Sequence, residues 1–259
     1  MELLKMDKNF KRPIYLLLTS DEEVNNCFSG QKGIDVITDT AKKSCAVFNL
    51  EPGKPGEITV GRKGILSVFV EITGVASHAG NAYFDGASAI KEASHMVLEI
   101  ESLSQKDGIT FNCGVINGGT VANIVADKCS VGVDIRVSTP EEMIQAENLL
   151  YELSKKNVDK NTCRALKVLS KRPPMMNKMN IELLNTWNSS AGKLGIKEFK
   201  GTVKGGGSDA AYTVLAGVPT LCSCGAIGFN EHTVNEKLDL SSLDERVALI
   251  CNTIKLIRD

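Results

Sequence analysis

Hydrophobic and polar positions fall into short blocks along this chain, and each block predicts an element. Ile14-Tyr15-Leu16-Leu17-Leu18 is apolar throughout and bounded by polar residues. A run of that kind reads as a strand buried on both faces, placed over 12–18. Upstream of it, Leu3, Leu4 and Met6 read as the tail of a helix. A helix is expected at about 31–42 despite Gly33. A short apolar strand, Cys45-Ala46-Val47-Phe48-Asn49-Leu50, then ends at Glu51-Pro52-Gly53, and a loop with Pro55 and Gly56 follows.

Near Gly64 the pattern changes. Residues 65–73 are β-rich, and 86–103 place Ala89, Ala93, Val97, Ile100 and Leu103 at helical spacing, with His95 off that stripe. Strands are predicted at about 109–117 and 128–138. In the second, Val131, Val133, Ile135 and Val137 alternate with Gly132, Asp134, Arg136 and Ser138, the mark of a half-buried strand. Ser138-Thr139-Pro140-Glu141-Glu142 opens a helix with a hydroxyl cap, a proline at the first position and acids in the first turn. A last strand covers about 162–170. The order β-α-β-β-α-β is ferredoxin-like. Arg172-Pro173-Pro174 punctuates its end. Beyond come a helix at about 180–194 with Leu183, Leu184 and Trp187, a loop Gly205-Gly206-Gly207-Ser208-Asp209, a short helix at 209–216, a strand at Val218–Cys222, and a terminal helix at about 240–257 capped by Asp239 or Ser241. The fold class read from this is α/β. A discontinuous domain, 1–64 and 173–259, is interrupted by an inserted α+β domain, 65–172.

Composition narrows the function. A formal net charge of −1 gives no global attraction to nucleic acid or anionic membrane. No apolar run approaches the roughly 20 residues of a membrane span, and the first residues lack the apolar core of a secretory signal, so a cytoplasmic location is the expectation. The cysteines, Cys27, Cys45, Cys113, Cys129, Cys163, Cys222, Cys224 and Cys251, form no C-x-x-C and no regular framework. Most sit among apolar residues and read as reduced, buried thiols. Cys222 and Cys224, two apart on a strand, would share a face; without partner thiols they make a poor metal site.

The candidate chemistry begins at Asp21-Glu22-Glu23, at the carboxyl end of the first predicted strand, where α/β sheets place their sites. Two neighbouring carboxylates can divide labour, one holding a metal while the other moves protons. His232 lies in the turn-like stretch G-A-I-G-F-N-E-H-T-V-N-E, and a loop histidine flanked by acids suits zinc. The alternative is a solvated acidic turn and a surface histidine. Glu51 is a second acid at a strand end. His78, in S-H-A-G, is either a functional donor or a satisfied turn residue. Arg136 can grip a carboxylate with two parallel hydrogen bonds or form a surface ion pair. The G-G-G-S-D loop has amides that attract anions at a helix start, but lacks the Lys-Ser/Thr ending of a nucleotide loop.

Six stretches in order, L-L-L-T-S-D-E-E, V-F-N-L-E-P-G, I-T-G-V-A-S-H-A-G, G-G-T-V-A-N-I-V-A-D with its following V-D-I-R, G-G-G-S-D-A-A-Y and G-F-N-E-H-T-V-N-E, resemble one family. It is the di-zinc exopeptidases and deacylases that include aminoacylase, succinyl-diaminopimelate desuccinylase and glutamate carboxypeptidase, with the last branch the nearest match. The resemblance covers nearly the whole chain. It implies a three-layer catalytic domain with an inserted ferredoxin-like lid and dimerisation domain. It implies Glu22 as general base; Glu23 and His232 as ligands of one zinc and Glu51 of the other; and His78 as an oxyanion donor to a partner subunit's site. It further implies Asn123, Arg136, Gly207 and Ser208 as substrate-binding residues, a peptide or N-acyl amino acid as substrate, and a homodimer.

The chain also departs from that pattern. The family's upstream H-x-D histidine has no counterpart here, since His78, His95 and His232 all follow Glu22, and Asp7 does not match the bridging-aspartate motif. The expectation is a catalytic domain incomplete at its N-terminus: a fragment of a peptidase or amidase that binds zinc weakly and turns over little alone. Half of a split enzyme, or a non-catalytic homologue kept as a dimeric peptide or amino-acid binder, are the alternatives.

Overall fold

The structure is a computed structural model that describes residues 13–175 and 178–257. It divides into two compact units, Met1–Arg62 with Met175–Asp259, and Lys63–Pro174.

The chain enters the first unit through a single turn of 3₁₀ helix, Glu22–Val24, and helix α1 (Gly30–Lys42). Strands β1 (Val47–Phe48) and β2 (Glu57–Arg62) follow. The predicted strand over 12–18 is not formed. Residues 13–18 have no regular structure, and Ile14, Leu16 and Leu18 are 47%, 78% and 83% exposed. A strand apolar on both faces is held only by neighbours on both edges and layers above and below, and no described strand pairs with it. The helix tail read at Leu3, Leu4 and Met6 lies outside the described residues.

The second unit runs β3 (Gly64–Thr73), β4 (Ser77–His78), α2 (Ala89–Ser102), β5 (Thr110–Gly118), β6 (Ile124–Val125), β7 (Lys128–Val137), α3 (Pro140–Ser154) and β8 (Cys163–Arg172). Its antiparallel sheet has the order β5-β7-β3-β8, the ferredoxin-like arrangement. Alternation decides which face is covered. Leu66, Val68, Val70 and Ile72 of β3 and Val131, Val133, Ile135 and Val137 of β7 are buried against Ala93, Met96 and Ile100 of α2 and Met143, Ala146 and Leu150 of α3. Helix α3 starts as its sequence requires. The Thr139 hydroxyl accepts the Glu142 N–H at 3.1 Å, and Glu142 reaches back to the Ser138 N–H at 2.6 Å, a reciprocal cap. Under α2, the buried Glu92 carboxylate accepts the Val158 and Asp159 N–H groups and pairs with Arg164 at 2.7 Å.

The chain returns to the first unit with α4 (Ile181–Lys193), β9 (Lys200–Lys204), α5 (Ala210–Leu215), β10 (Thr220–Leu221), β11 (Ile227–Phe229), β12 (Lys237–Asp239) and α6 (Ser242–Ile257). Parallel ladders β1–β10 and β2–β9 form its centre. Ile58, Val60 and Leu221 pack with Leu183, Leu184, Trp187 and Leu249 of α4 and α6. Cys222 and Met175 pack with Ala210, Ala211 and Val214 of α5 in a separate cluster. Helices therefore cover the ladders in two distinct cores. All eight cysteines are free. Cys129, Cys222 and Cys224 are buried, but Cys27, Cys45 and Cys163 are exposed, because each lies outside the packed faces in a turn or at the end of an element; their apolar neighbours do not bury them.

Candidate active-site residues

Glu22 and Glu23 are held by the acid before them. Asp21 is buried, and its carboxylate accepts the Phe28 N–H at 3.0 Å, the Ser29 N–H at 2.7 Å and the Ser29 hydroxyl at 3.0 Å. These bonds close residues 21–29 into a compact loop. The Ser29 N–H foremost, with the Ser29 hydroxyl and the Phe28 N–H, holds the Asp21 carboxyl below its usual range against the opposing effect of burial. Asn25 and Asn26 turn the chain at φ of 54° and 56°, a conformation asparagine tolerates better than most residues.

Near the other end of the unit, His232 lies in a tight turn with φ of 64°. The turn is fixed by the Thr233 hydroxyl donating to the Asn230 carbonyl at 2.8 Å and by the His232 N–H donating to Glu236 at 3.2 Å. His232 Nδ1 stands 3.6 Å from Glu23 Oε2, with both side chains more than two-thirds exposed. The fold thus brings one acid of the pair and the loop histidine together. Glu51, between β1 and β2, donates its N–H to Asn49 Oδ1 at 3.0 Å and accepts the Gly225 N–H at 3.1 Å. A side chain at Gly225 would lie 2.3 Å from the Leu50 carbonyl oxygen, so glycine is required for this close approach. Glu51 is therefore tied to the segment that runs through β11 toward the His232 turn.

The Gly205–Ser208 loop is clamped from below. Arg62 Nη1 donates to the carbonyls of Gly206 and Gly207, both at 3.0 Å. Ser208 is fully buried, its hydroxyl 3.5 Å from Cys222 Sγ, so its side chain faces the core and the exposed surface of this loop is backbone.

In the inserted unit, β4 pairs with β6, setting His78 opposite Ile124, and the Ala79 N–H donates to the Asn123 carbonyl at 2.9 Å. His78 and Asn123 are thus neighbours. The His78 Nδ1 accepts the N–H groups of Gly80 and Asn81 at 3.1 and 3.2 Å. That assigns the proton of the neutral ring to Nε2, leaving an outward donor. Arg136 forms a two-point pair with Asp134 on the same face of β7, at 2.6 and 3.0 Å. A substrate carboxylate would compete with Asp134 for it.

Donor chemistry decides what a metal would find. Glu23 and His232 supply an oxygen and a nitrogen suited to zinc. Among the described residues, no group of three or more His, Cys, Asp or Glu side chains converges. The described residues accordingly fit part of one metal's shell and do not fit a two-metal centre.

Pattern reading missed Asp21 and Arg62 as the residues that shape these loops. Each acts through backbone groups distant in sequence, and no periodic signal marks that.

Residues 60–162 match the sequence profile of a peptidase dimerisation domain. The chain is 30% identical over 252 residues to carboxypeptidase G2 of Pseudomonas sp. (strain RS-16), covering 93% of this chain and 58% of that protein. It is 26% identical over 257 residues to YqjE of Bacillus subtilis (strain 168), covering 98% and 67%. The structure superposes on aminopeptidase PepT of Bacillus cereus ATCC 10987 with a TM-score of 0.77 and 25% identity, covering 93% of this chain and 63% of that one. A Staphylococcus aureus tripeptidase shares the fold at a TM-score of 0.72 and 23% identity, covering 87% and 62%. The architecture is thus an α/β peptidase domain carrying an inserted dimerisation domain. With ordered motifs, fold and relatives in agreement, the chain is similar over nearly its whole length to the M20 peptidases and carries their dimerisation domain.

Proposed function

We propose that the protein hydrolyses the amide bond of a peptide or an N-acyl amino acid in carboxypeptidase-like fashion, and that it works as a homodimer through the inserted domain. The chain spans 58% of the length of carboxypeptidase G2, so the proposal concerns the whole protein. The observation that carries it is the 3.6 Å approach of His232 to Glu23, beside Glu22.

In this reading Glu22 takes a proton from the attacking water and delivers it to the leaving amine. His78 Nε2–H donates to the oxygen that gains charge as the carbonyl becomes tetrahedral. Asn123, Arg136 and the backbone at Gly207 and Ser208 orient the substrate, with Arg136 exchanging Asp134 for a carboxylate. Glu23 and His232 would hold a zinc ion; a second ion at Glu51 would need further ligands from the whole protein, because the described residues supply no others there. Bound zinc supplies a water whose pKa approaches about 7.

Zinc titration of this chain provides a test without turnover. Glu23→Ala and His232→Ala should each weaken zinc binding by on the order of tenfold or more, at least what loss of a supporting partner costs, while Glu22→Gln leaves it unchanged. In the catalytically competent protein Glu22→Gln abolishes release of amine from N-acyl amino acids. Zinc affinity indifferent to both ligand variants would refute the assignment.

A further inference from the structure

Glu51 and the Gly205–Ser208 loop follow the carboxyl ends of β1 and β9. The parallel ladder between β1 and β10 is two residues long, so strand pairing alone holds little of what comes after it. Cys222, the first residue after β10, is fully buried, and its backbone exchanges two hydrogen bonds with Thr59 of β2, at 2.9 and 3.0 Å. Asn49, the first residue after β1, grips the same segment. Its N–H donates to the Leu221 carbonyl at 2.8 Å, and its carbonyl accepts the Cys224 N–H at 3.0 Å. The backbone is thus fixed on either side of the Cys222 thiol.

Three side chains converge on that sulfur. Arg62 Nε donates to it at 3.3 Å, and the Ser208 hydroxyl and Asn49 Oδ1 each lie 3.5 Å away. A thiol has one proton to give and a sulfur that accepts. The proton goes to Asn49 Oδ1, which can only accept; the sulfur then receives Arg62 and Ser208. Both ends of the cluster continue into backbone. Arg62 Nη1 holds the Gly206 and Gly207 carbonyls at 3.0 Å, and Asn49 Oδ1 also accepts the Glu51 N–H at 3.0 Å. One chain of hydrogen bonds therefore runs from Gly206 and Gly207 through Arg62, Cys222 and Asn49 to Glu51. A buried polar network whose members are satisfied rigidifies what it joins. Each bond to sulfur is weak, but removing the thiol strands the buried Arg62 Nε–H, which costs more than the bond contributed.

We propose that Arg62 and Cys222 are positioning residues that hold the Glu51 loop and the Gly205–Ser208 loop as one piece, so that displacement of either loop is transmitted to the other. The part these loops play in a reaction rests on the hydrolase reading above; the linkage itself does not.

Amide hydrogen exchange of the 259-residue chain tests the transmission. One amide reports at each end: Glu51, bonded to Asn49 Oδ1, and Ala211, bonded to the Ser208 carbonyl at 3.1 Å. Cys222→Ala should speed exchange at both by about tenfold, the scale of one buried hydrogen bond. Cys222→Ser, which keeps a donor and an acceptor, should recover most of that protection. Arg62 makes no bond to the Glu51 loop in this chain of contacts, yet Arg62→Met should speed the Glu51 amide by at least about threefold, the low end of coupling within one network. Asn49→Ala should do the same at Ala211. In the Arg62→Met, Cys222→Ala double variant the Glu51 amide should exchange no faster than in Cys222→Ala alone. The α4 and α6 amides of the same unit should keep wild-type rates, which separates loosened loops from unfolding. Should Arg62→Met disturb those helices, Asn49→Ala, at the half-buried end of the chain of bonds, carries the test. With the helices intact, Arg62→Met without effect at Glu51 would overturn the proposal. So would Asn49→Ala without effect at Ala211, effects that add in the double variant, or Cys222→Ser exchanging as fast as Cys222→Ala. Transmission as expected, with turnover unchanged by Cys222→Ala in the catalytically competent protein, would count against the roles given to these loops in hydrolysis and leave the linkage standing.

Discussion

Glu92→Gln tests the energetics of the inserted unit most directly. Glu92 is 1% exposed, and its partner Arg164 is buried with it, at 5%. Breaking a buried pair by removing one charge costs about 3–5 kcal/mol, because the other charge is left without a counter-ion. Glutamine keeps an oxygen for the Val158 and Asp159 N–H groups, and Arg164 Nη1 still donates to the Leu153 carbonyl at 2.8 Å and stands 3.5 Å from Glu99. The cost should therefore fall near the lower end, about 3 kcal/mol. At an m of about 2 kcal/mol/M the urea midpoint of this unit drops by about 1.5 M. Hydrogen exchange of the β3 and β7 amides against urea reads that midpoint. The pH dependence carries a sign. Burial pushes the Glu92 carboxyl up, but the Val158 and Asp159 N–H groups and Arg164 outweigh it, and the folded value lies below 4.5. Its stabilisation is therefore complete above about pH 4.5 and is lost as pH falls through the folded value. In Glu92→Gln that acid-limb slope should flatten. Adding Arg164→Met should restore part of the loss. A midpoint within about 0.25 M of wild type, equivalent to about 0.5 kcal/mol, would refute the reasoning.

The exposed Cys27, Cys45 and Cys163 should react with a thiol reagent in the native protein at pH 8, while Cys129, Cys222 and Cys224 should wait for denaturant; mass spectrometry of labelled peptides checks both. Cys113, pushed up to about 11 by burial and then by Glu101, should label slowly at pH 8 and faster as pH approaches 11, and rapid labelling at pH 8 would contradict its placement. Gly225→Ala should cost about 1–3 kcal/mol, the range for overpacking, since the new carbon would press on the Leu50 carbonyl 2.3 Å away. A melting temperature equal to wild type would show that the Glu51 loop yields freely.

The inserted unit was the most legible part. Val131 to Val137 alternate without interruption, and the Ser138–Glu142 cap carries its own signal, so β7 and α3 appear within a residue or two of where pattern places them. The other unit was read less well. Strands β2 and β9 were both missed, and each has a physical reason. Glu57–Arg62 buries five consecutive positions but includes Gly61 and two charged residues, and Lys200–Lys204 opens with lysine and glycine and leaves Val203 60% exposed. Neither shows a period of two, because β2 is covered on both faces and β9 is a mixed edge. Helix α5 and strand β10, by contrast, lie inside the ranges read from sequence.

The apolar run at 14–18 shows why the candidate site could be read where its supporting strand could not. Composition reports what a segment would bury, but pairing depends on a partner, and none of the described strands supplies one. The acidic turn does not need that strand. Asp21 closes its own loop through Phe28 and Ser29 within eight residues, and the Thr233 and Glu236 side chains close the His232 turn within four. Each half is locally determined, so short-range chemistry fixes its shape. What no local rule supplies is the meeting of the two halves, Glu23 with His232 at 3.6 Å. That contact depends on α1, the parallel ladders and β11 stacking as one unit, and before the fold is known only resemblance to a family points to it.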